Sequence, residues 1–172
     1  MKRILCLLMA LCLLLPVVAM AEEAPAAKIG MAYGACHSHG VTVATVVVVD
    51  GVIVDALLDE VYITNANDSF VALPNAEEVA VVDDATIILI SKRQNNDAYS
   101  ANMIARGGQA LATSYDAIQA FVIGKTVEEL EAAVEGYTED NKADFIDVVS
   151  GSTITDTLKY TLVLLEAAKN AQ

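Results

Sequence analysis

A cluster of hydroxyl side chains around one glycine lies close to the carboxyl end of the chain. The hydroxyls belong to Ser150, Ser152, Thr153 and Thr155, the glycine is Gly151, and Asp147 precedes them. Phosphate groups bind well at helix amino termini, where free backbone N–H groups point outward, and glycine allows a close approach. This composition suits a phosphorylated ligand, although the spacing alone is more typical of an ordinary helix start.

The order of these residues resembles the acceptor motif D-x-x-S-G-A-T-x-T/S of FMN-binding domains. That family includes the C subunit of the sodium-translocating quinone reductase and the G subunit of Rnf-type electron-transport complexes. In that family the Thr that ends S-G-A-T carries FMN through a phosphoester bond, so the resemblance implies covalent FMN on Thr153. The family usually has Ala where this chain has Ser152, which therefore offers a second hydroxyl for attachment.

Thr153 has no neighbouring His to activate it as a nucleophile. The resemblance implies that a separate enzyme, an FAD:protein FMN transferase that uses magnesium, attaches the cofactor. Asp147 matches the acidic residue of the motif, either for recognition by that transferase or as a solvated acid before a turn. The implied protein is an electron carrier without substrate-specific catalysis, which exchanges electrons with redox proteins or membrane electron-transport components.

Further segments look like parts of small exported FMN-binding proteins of bacteria. They are residues 42–60, 91–103 and 124–130, and with the motif they cover most of residues 30–170. Within them, Lys92 and Arg93 form an adjacent basic pair that is a candidate to face the flavin phosphate or ring, or else surface charge at a strand end. Tyr99 and Met103 either line the isoalloxazine or belong to the core.

Cys36, His37 and His39 form a second group with possible chemistry. Thiolate and imidazole are ligands of zinc or copper, but no fourth ligand is evident and the two imidazoles alternate in direction in an extended chain. A solvated loop with a free thiol, or a crosslink through Cys36 to a second chain, are the alternatives. The competing function is a non-redox exported binding or sensor module, with metal held by these three residues. FMN bound without a covalent link is a third hypothesis.

The amino terminus has the pattern of a secretory signal. Lys2 and Arg3 precede the apolar run Ile4–Met20, and Ala19-Met20-Ala21 fits the small-x-small cleavage rule. We therefore predict a signal peptide at residues 1–21 and an extracellular or periplasmic protein. An uncleaved membrane anchor is the alternative, since the run is nearly long enough to span a bilayer.

The composition of the remaining chain excludes some partners. Without Lys2 and Arg3 it has 8 basic and 23 acidic residues, a net charge of −15. Such a chain repels nucleic acid and anionic lipid, whose binding depends on neutralised phosphates. With 151 residues left of the 172 it suits a single domain, and with Cys36 as its one cysteine it has no intramolecular disulfide.

Runs that are rich in β-branched residues predict three strands. Val41–Val49 and Val52–Leu58 flank Asp50-Gly51, a typical hairpin turn, and Thr86–Ser91 is the third strand. The valine-rich first strand indicates burial on both faces or a sheet covered by helices. Residues 65–84 are expected to form mainly loop.

Helical periodicity follows from Asn96 onward. The predicted helices are a run from Asn96 that Gly107-Gly108 stops, Tyr115–Ile123, Val127–Val134, a short stretch Asp140–Ile146, and Asp156–Lys169. Thr126 and Glu129 form a capping box at the start of the third. The sum is a single α+β domain, an antiparallel β-sheet with helices packed on it, with residues 22–40 as linker and leading segment. The resemblance makes residues 41–172 an FMN-binding domain.

Overall fold

The computed structural model describes residues 25–76 and 86–171. The predicted signal peptide, residues 1–21, lies outside the described residues. So do residues 22–24 of the predicted linker and 77–84 of the predicted loop. No helix within the described ranges is both long and apolar enough to cross a membrane.

One antiparallel sheet contains four strands in chain order. They are β1 (Lys28–Gly34), β2 (Gly40–Val49), β3 (Val52–Asn65) and β4 (Ile87–Ser91). Between β2 and β3, Asp50 and Gly51 have φ values of 51° and 81°. Positive φ at both central residues is what a type I′ hairpin turn requires, so the predicted hairpin is confirmed.

Two strand predictions were wrong. Strand β1 in the leading segment was missed, because Gly30 and Gly34 have low strand propensity. Glycine is needed at both positions because the last helix packs closely on them. A Cβ on Gly30 would lie 1.8 Å from the Ala167 carbonyl oxygen. The second strand does not end at Leu58 but continues to Asn65, because its charged residue Glu60 is buried and paired rather than solvated.

The helices are α1 (Asn96–Ala105), α2 (Leu111–Val122), α3 (Val127–Val134) and α4 (Thr157–Lys169), with a 3-10 helix at Lys142–Val148. The capping box of Thr126 and Glu129 is confirmed. Helix α2 begins four residues earlier than predicted, since the N–H groups of Leu111 and Ala112 donate to Ser100 Oγ and Asn96 Oδ1 of α1. Those remote side chains replace the missing local cap.

The helices cover one face of the sheet, so the fold is α+β as predicted. Helix α4 packs on β1 and β2, and alternate β2 residues such as Ala44 and Val46 are fully buried beneath it. The other face of β1 to β3 is open to solvent. This outer face carries Ile29, Met31, Tyr33, Val41, Val43 and Leu57.

Candidate functional site

The segment that contains the hydroxyl cluster is held against α2. Gln109 Nε2 donates to the Gly151 carbonyl oxygen and, at 2.9 Å, to Ser114 Oγ. Ser114 Oγ in turn accepts from the Thr153 backbone N–H at 3.2 Å. Gly151 has φ 93°, and a Cβ there would lie 3.3 Å from the Ala117 Cβ. Glycine is therefore required here both by the left-handed backbone and by the close approach to α2.

The structure separates the two adjacent candidate hydroxyls. Ser152 is buried, and its Oγ lies 2.7 Å from Thr157 Oγ1, a hydrogen bond inside the protein. The side chain of Thr153 is exposed and lines a wide cleft among the described residues. Consecutive side chains in an extended segment point in opposite directions, so burying one hydroxyl exposes the next.

The motif lies before the last helix rather than in its first turn. Helix α4 begins at Thr157, four residues beyond Thr153, and the N–H of Thr157 donates to the Ile154 carbonyl oxygen at 3.1 Å. The predicted placement of Ser150 to Thr153 directly at a helix amino terminus is therefore wrong. A turn at Ile154–Thr157 intervenes, and the bond from Ser152 to Thr157 holds it in place.

The other motif residues divide between the cleft and the surface. Thr155 is exposed and lines the cleft with Thr153. Ser150 and Asp147 are exposed and do not line this cleft. The structure thus brings two of the four hydroxyls together at one opening.

The cleft has a volume of about 1180 Å³ and an aromatic wall. The rings of His37, Tyr62 and Tyr99 follow one another, with centroids 5.8 Å apart at each step. Met103 of α1 and Arg106, which directly follows α1, complete this side. Tyr99 and Met103 line this cleft and also pack against the core, and their contact with an isoalloxazine stays a prediction.

The adjacent side chains of Lys92 and Arg93 contact different parts of the molecule. Lys92 lines the cleft, with its Nζ 4.4 Å and 4.8 Å from the ring centroids of Tyr62 and Tyr99. Arg93 points away and ties the sheet to α2 through Asp116 Oδ1 at 2.8 Å and Gln119 Oε1 at 2.7 Å. Of the pair, Lys92 alone faces the candidate site.

Beneath the aromatic wall, Lys92 belongs to a buried polar cluster. Its Nζ lies 3.0 Å from Glu60 Oε1, and both side chains are almost completely buried. Tyr160 donates to Glu60 Oε2 at 2.5 Å, and Tyr115 lies 3.3 Å from the Tyr160 hydroxyl. Burial, the neighbouring Tyr115 and the Glu60 carboxylate raise the pKa of Tyr160, so this hydroxyl keeps its proton and remains a donor.

Tyr62 and Arg106 are among the cleft residues that the sequence analysis missed. Tyr62 falls in the part of β3 beyond the predicted strand end at Leu58, and a longer strand with alternating side chains would have placed it on the helix-covered face. Arg106 is exposed just after α1 and makes no ion pair with any described residue. No spacing signal marks it, because its position depends on how α1 packs.

Cys36, His37 and His39 do not form a metal site. Cys36 is buried in the core, while His37 and His39 are exposed and His37 lies against Tyr62. Across residues 25–76 and 86–171, no three His, Cys, Asp or Glu side chains are placed to share an ion. The proposed solvated thiol and the crosslink through Cys36 are also wrong for this folded chain, because the thiol is enclosed.

The buried thiol of Cys36 should be inert in the native protein. Burial raises its pKa to about 11, and the nearby Glu60 carboxylate acts in the same direction. Since the thiolate is the reactive form, we expect alkylation by iodoacetamide at neutral pH to be about 100-fold slower or more in the native protein than in urea. The rate is measured by intact mass after quenching at intervals. Equal rates in both conditions would contradict the burial of this residue.

Comparisons with known proteins identify no relative. No protein-family model, no curated protein and no solved structure matches the chain.

Proposed function

We propose that the protein carries one FMN, joined through a phosphoester to Thr153 Oγ1, and serves as an electron-transfer carrier outside the cytoplasmic membrane. Its fold would then be that of an FMN-binding domain. The proposal rests on the resemblance of residues 147–155 to the flavin-acceptor motif and on the geometry of the same residues.

The separation of Ser152 from Thr153 is the observation that carries the proposal. The family motif has Ala where this chain has Ser152, and here that hydroxyl is buried against Thr157. A modifying enzyme therefore meets Thr153 and not Ser152. The one departure from the family motif is thus accommodated inside the protein, and the acceptor position remains open to the cleft.

The cleft suits a flavin in size and chemistry. At about 1180 Å³ it is slightly larger than the roughly 300–1,000 Å³ that is usual for small-molecule sites, so a flavin has room in it. Tyr62 and Tyr99 provide aromatic surface for a flat ring system. Arg106 is exposed and makes no ion pair with any described residue, so it places a cation at the opening of this strongly acidic protein and favours an anionic ligand there. The charge of Lys92 is already neutralised by Glu60.

Attachment requires a partner that activates the hydroxyl. In the proposed step, Thr153 Oγ1 attacks the FMN phosphorus of FAD. The phosphoester bond forms, the pyrophosphate bond breaks, AMP leaves and the hydroxyl proton passes to a base of the transferase. Among the described residues, the partner hydrogen-bonded to the Thr153 backbone is Ser114, which is no base, so activation has to come from the transferase.

A covalent bond would keep the flavin on a strongly acidic protein that is predicted to be exported. The isoalloxazine of bound FMN supplies one-electron or two-electron transfer. The chain would hold the ring between the tyrosines and retain it outside the cell membrane, where a dissociated flavin is lost by dilution. The field of a chain with a net charge of −15 after signal removal would otherwise oppose rebinding of an anion. Redox proteins or membrane electron-transport components would be its partners.

Peptide mass spectrometry tests the proposal directly. Protein purified from a host that contains the transferase is digested, and the peptide across Asp144–Lys159 is fragmented. We expect its mass to increase by that of FMN less one water, with the added mass on Thr153. The same protein from a host without the transferase is the control and should be unmodified. An unmodified peptide from cells in which the transferase modifies other proteins would refute covalent attachment, and a yellow protein that loses its flavin on denaturation would indicate non-covalent FMN.

A further inference from the structure

The outer face of the sheet carries an apolar patch at the upper end of the size range found on isolated domains. Ile29, Met31, Tyr33, Val41 and Leu57 are each between 47% and 68% exposed. Together they leave on the order of 600 Å² of side-chain surface in water, at the upper end of the largest patch on a typical monomer. The strand register makes them neighbours, since Met31 and Leu57 both pair with Thr45 of the central strand β2.

The charge on this face is low compared with the rest of the chain. Among the strand residues, Asp55 and Asp59 are the acids whose side chains lie on this side. Asp59 is already used, because its carboxylate accepts from Ser91 Oγ and, at 3.0 Å, from the Arg93 backbone N–H. The helices on the opposite side of the sheet carry exposed acids such as Glu128, Glu129 and Glu131.

We propose that the outer face is the interface of a homodimer, in which two copies pack sheet against sheet about a two-fold axis. A standard interface buries about 800 Å² per partner, and the five exposed side chains with the half-exposed valines between them approach that area. Sheets pack face to face about 10 Å apart.

A second copy fits this face better than an anionic membrane does. Packing the outer faces together directs the acidic helical sides of both copies away from each other, which lessens their repulsion. The candidate flavin cleft involves Tyr62, which pairs with Gly40 on the helix-covered face. Both clefts therefore remain open at the outside of the dimer, and the interface does not depend on the proposed function.

The oligomeric state in solution tests the dimer. We expect multi-angle light scattering of the purified protein at micromolar concentration to give the mass of two chains. Leu57→Lys should weaken dimerisation by about 100-fold or more, because the two-fold axis places each buried charge in the interface without a partner. Leu162→Lys is the matched control, since Leu162 is 42% exposed on α4. This variant should remain dimeric, and circular dichroism should show both variants folded.

The position of Leu57 distinguishes the proposed interface from its alternatives. Leu57 lies on β3, two strands away from the free edge of β1, so pairing through that edge would survive Leu57→Lys and would overturn the proposal. A wild-type protein that is monomeric throughout would overturn it as well. Two further measurements on such a monomer would identify what covers the outer face instead. Co-sedimentation with zwitterionic lipid vesicles would indicate a membrane, and an outer face protected from oxidative footprinting would indicate another segment of the same chain.

Discussion

Replacing Thr153 by valine is expected to abolish covalent flavin attachment completely. Valine has the shape of threonine without the hydroxyl, so the acceptor atom is lost while the Thr153 backbone bond to Ser114 is kept. The measurement is in-gel flavin fluorescence after denaturing electrophoresis, with wild type and variant produced beside the same transferase. Peptide mass spectrometry of the Asp144–Lys159 peptide confirms the loss.

Two control variants make the result specific to the hydroxyl. Thr153→Ser restores an acceptor and should regain flavin. Ser152→Ala creates the family's S-G-A-T and should stay fully flavinylated, with a loss of roughly 0.5–1.5 kcal/mol in unfolding free energy for the missing bond to Thr157. Flavin on Ser152 in the Thr153→Val protein would show that the buried hydroxyl becomes accessible and would contradict the geometric argument.

Replacing Lys92 by methionine is expected to be the most destabilising single change in the cleft. Methionine keeps the length of the side chain but removes the charge, so the Glu60 carboxylate remains buried without its ion-pair partner at 3.0 Å. Breaking a buried ion pair by removing one partner costs about 3–5 kcal/mol, a large part of the total stability of a domain. Urea denaturation followed by circular dichroism measures the loss of unfolding free energy.

The double variant Glu60→Gln/Lys92→Met separates the charge from the packing. With both charges gone, no unpaired ion is buried, and most of the loss should be recovered. Lys142→Met is the comparison at the surface, because Lys142 is about one-quarter exposed and pairs with the exposed Glu139, and it should cost far less. If the double variant were no more stable than Lys92→Met alone, the pair would not be the reason for the burial of Lys92.

The groups around Lys92 determine the charge of the cleft wall. Lys92 is one of eight basic residues after the predicted signal, and its charge is enclosed by Glu60 and the two tyrosine rings. Burial raises the pKa of Tyr99 to about 12, and the Glu60 carboxylate adds to the effect. Tyr99 therefore stays neutral at any ordinary pH, and the cleft wall beside Lys92 carries no negative charge from it.

Much of the secondary structure could be predicted from local patterns. The valine run of β2, the Asp50-Gly51 turn, the capping box at Thr126 and the apolar stripe of α4 each depend on residues only a few positions apart. Such signals are contained in the sequence because hairpin turns and helix caps are short-range interactions. Strand β1 could not be predicted in this way, because its glycines are needed for the close approach of the distant Val163 and Ala167.

The candidate site was determined in part by sequence and in part by tertiary structure. The sequence by itself determined which hydroxyls surround Gly151, that Lys92 and Arg93 are adjacent, and that the chain is strongly acidic. Only the tertiary structure decided that Ser152 faces inward and Thr153 faces the cleft, and that Lys92 rather than Arg93 reaches it. The physical reason is that these contacts join residues far apart along the chain. Glu60 is buried because Lys92 and Tyr160 pair with it, and the motif segment is held in its orientation by Ser114, which accepts from the Thr153 backbone N–H. Local propensities do not encode such pairs.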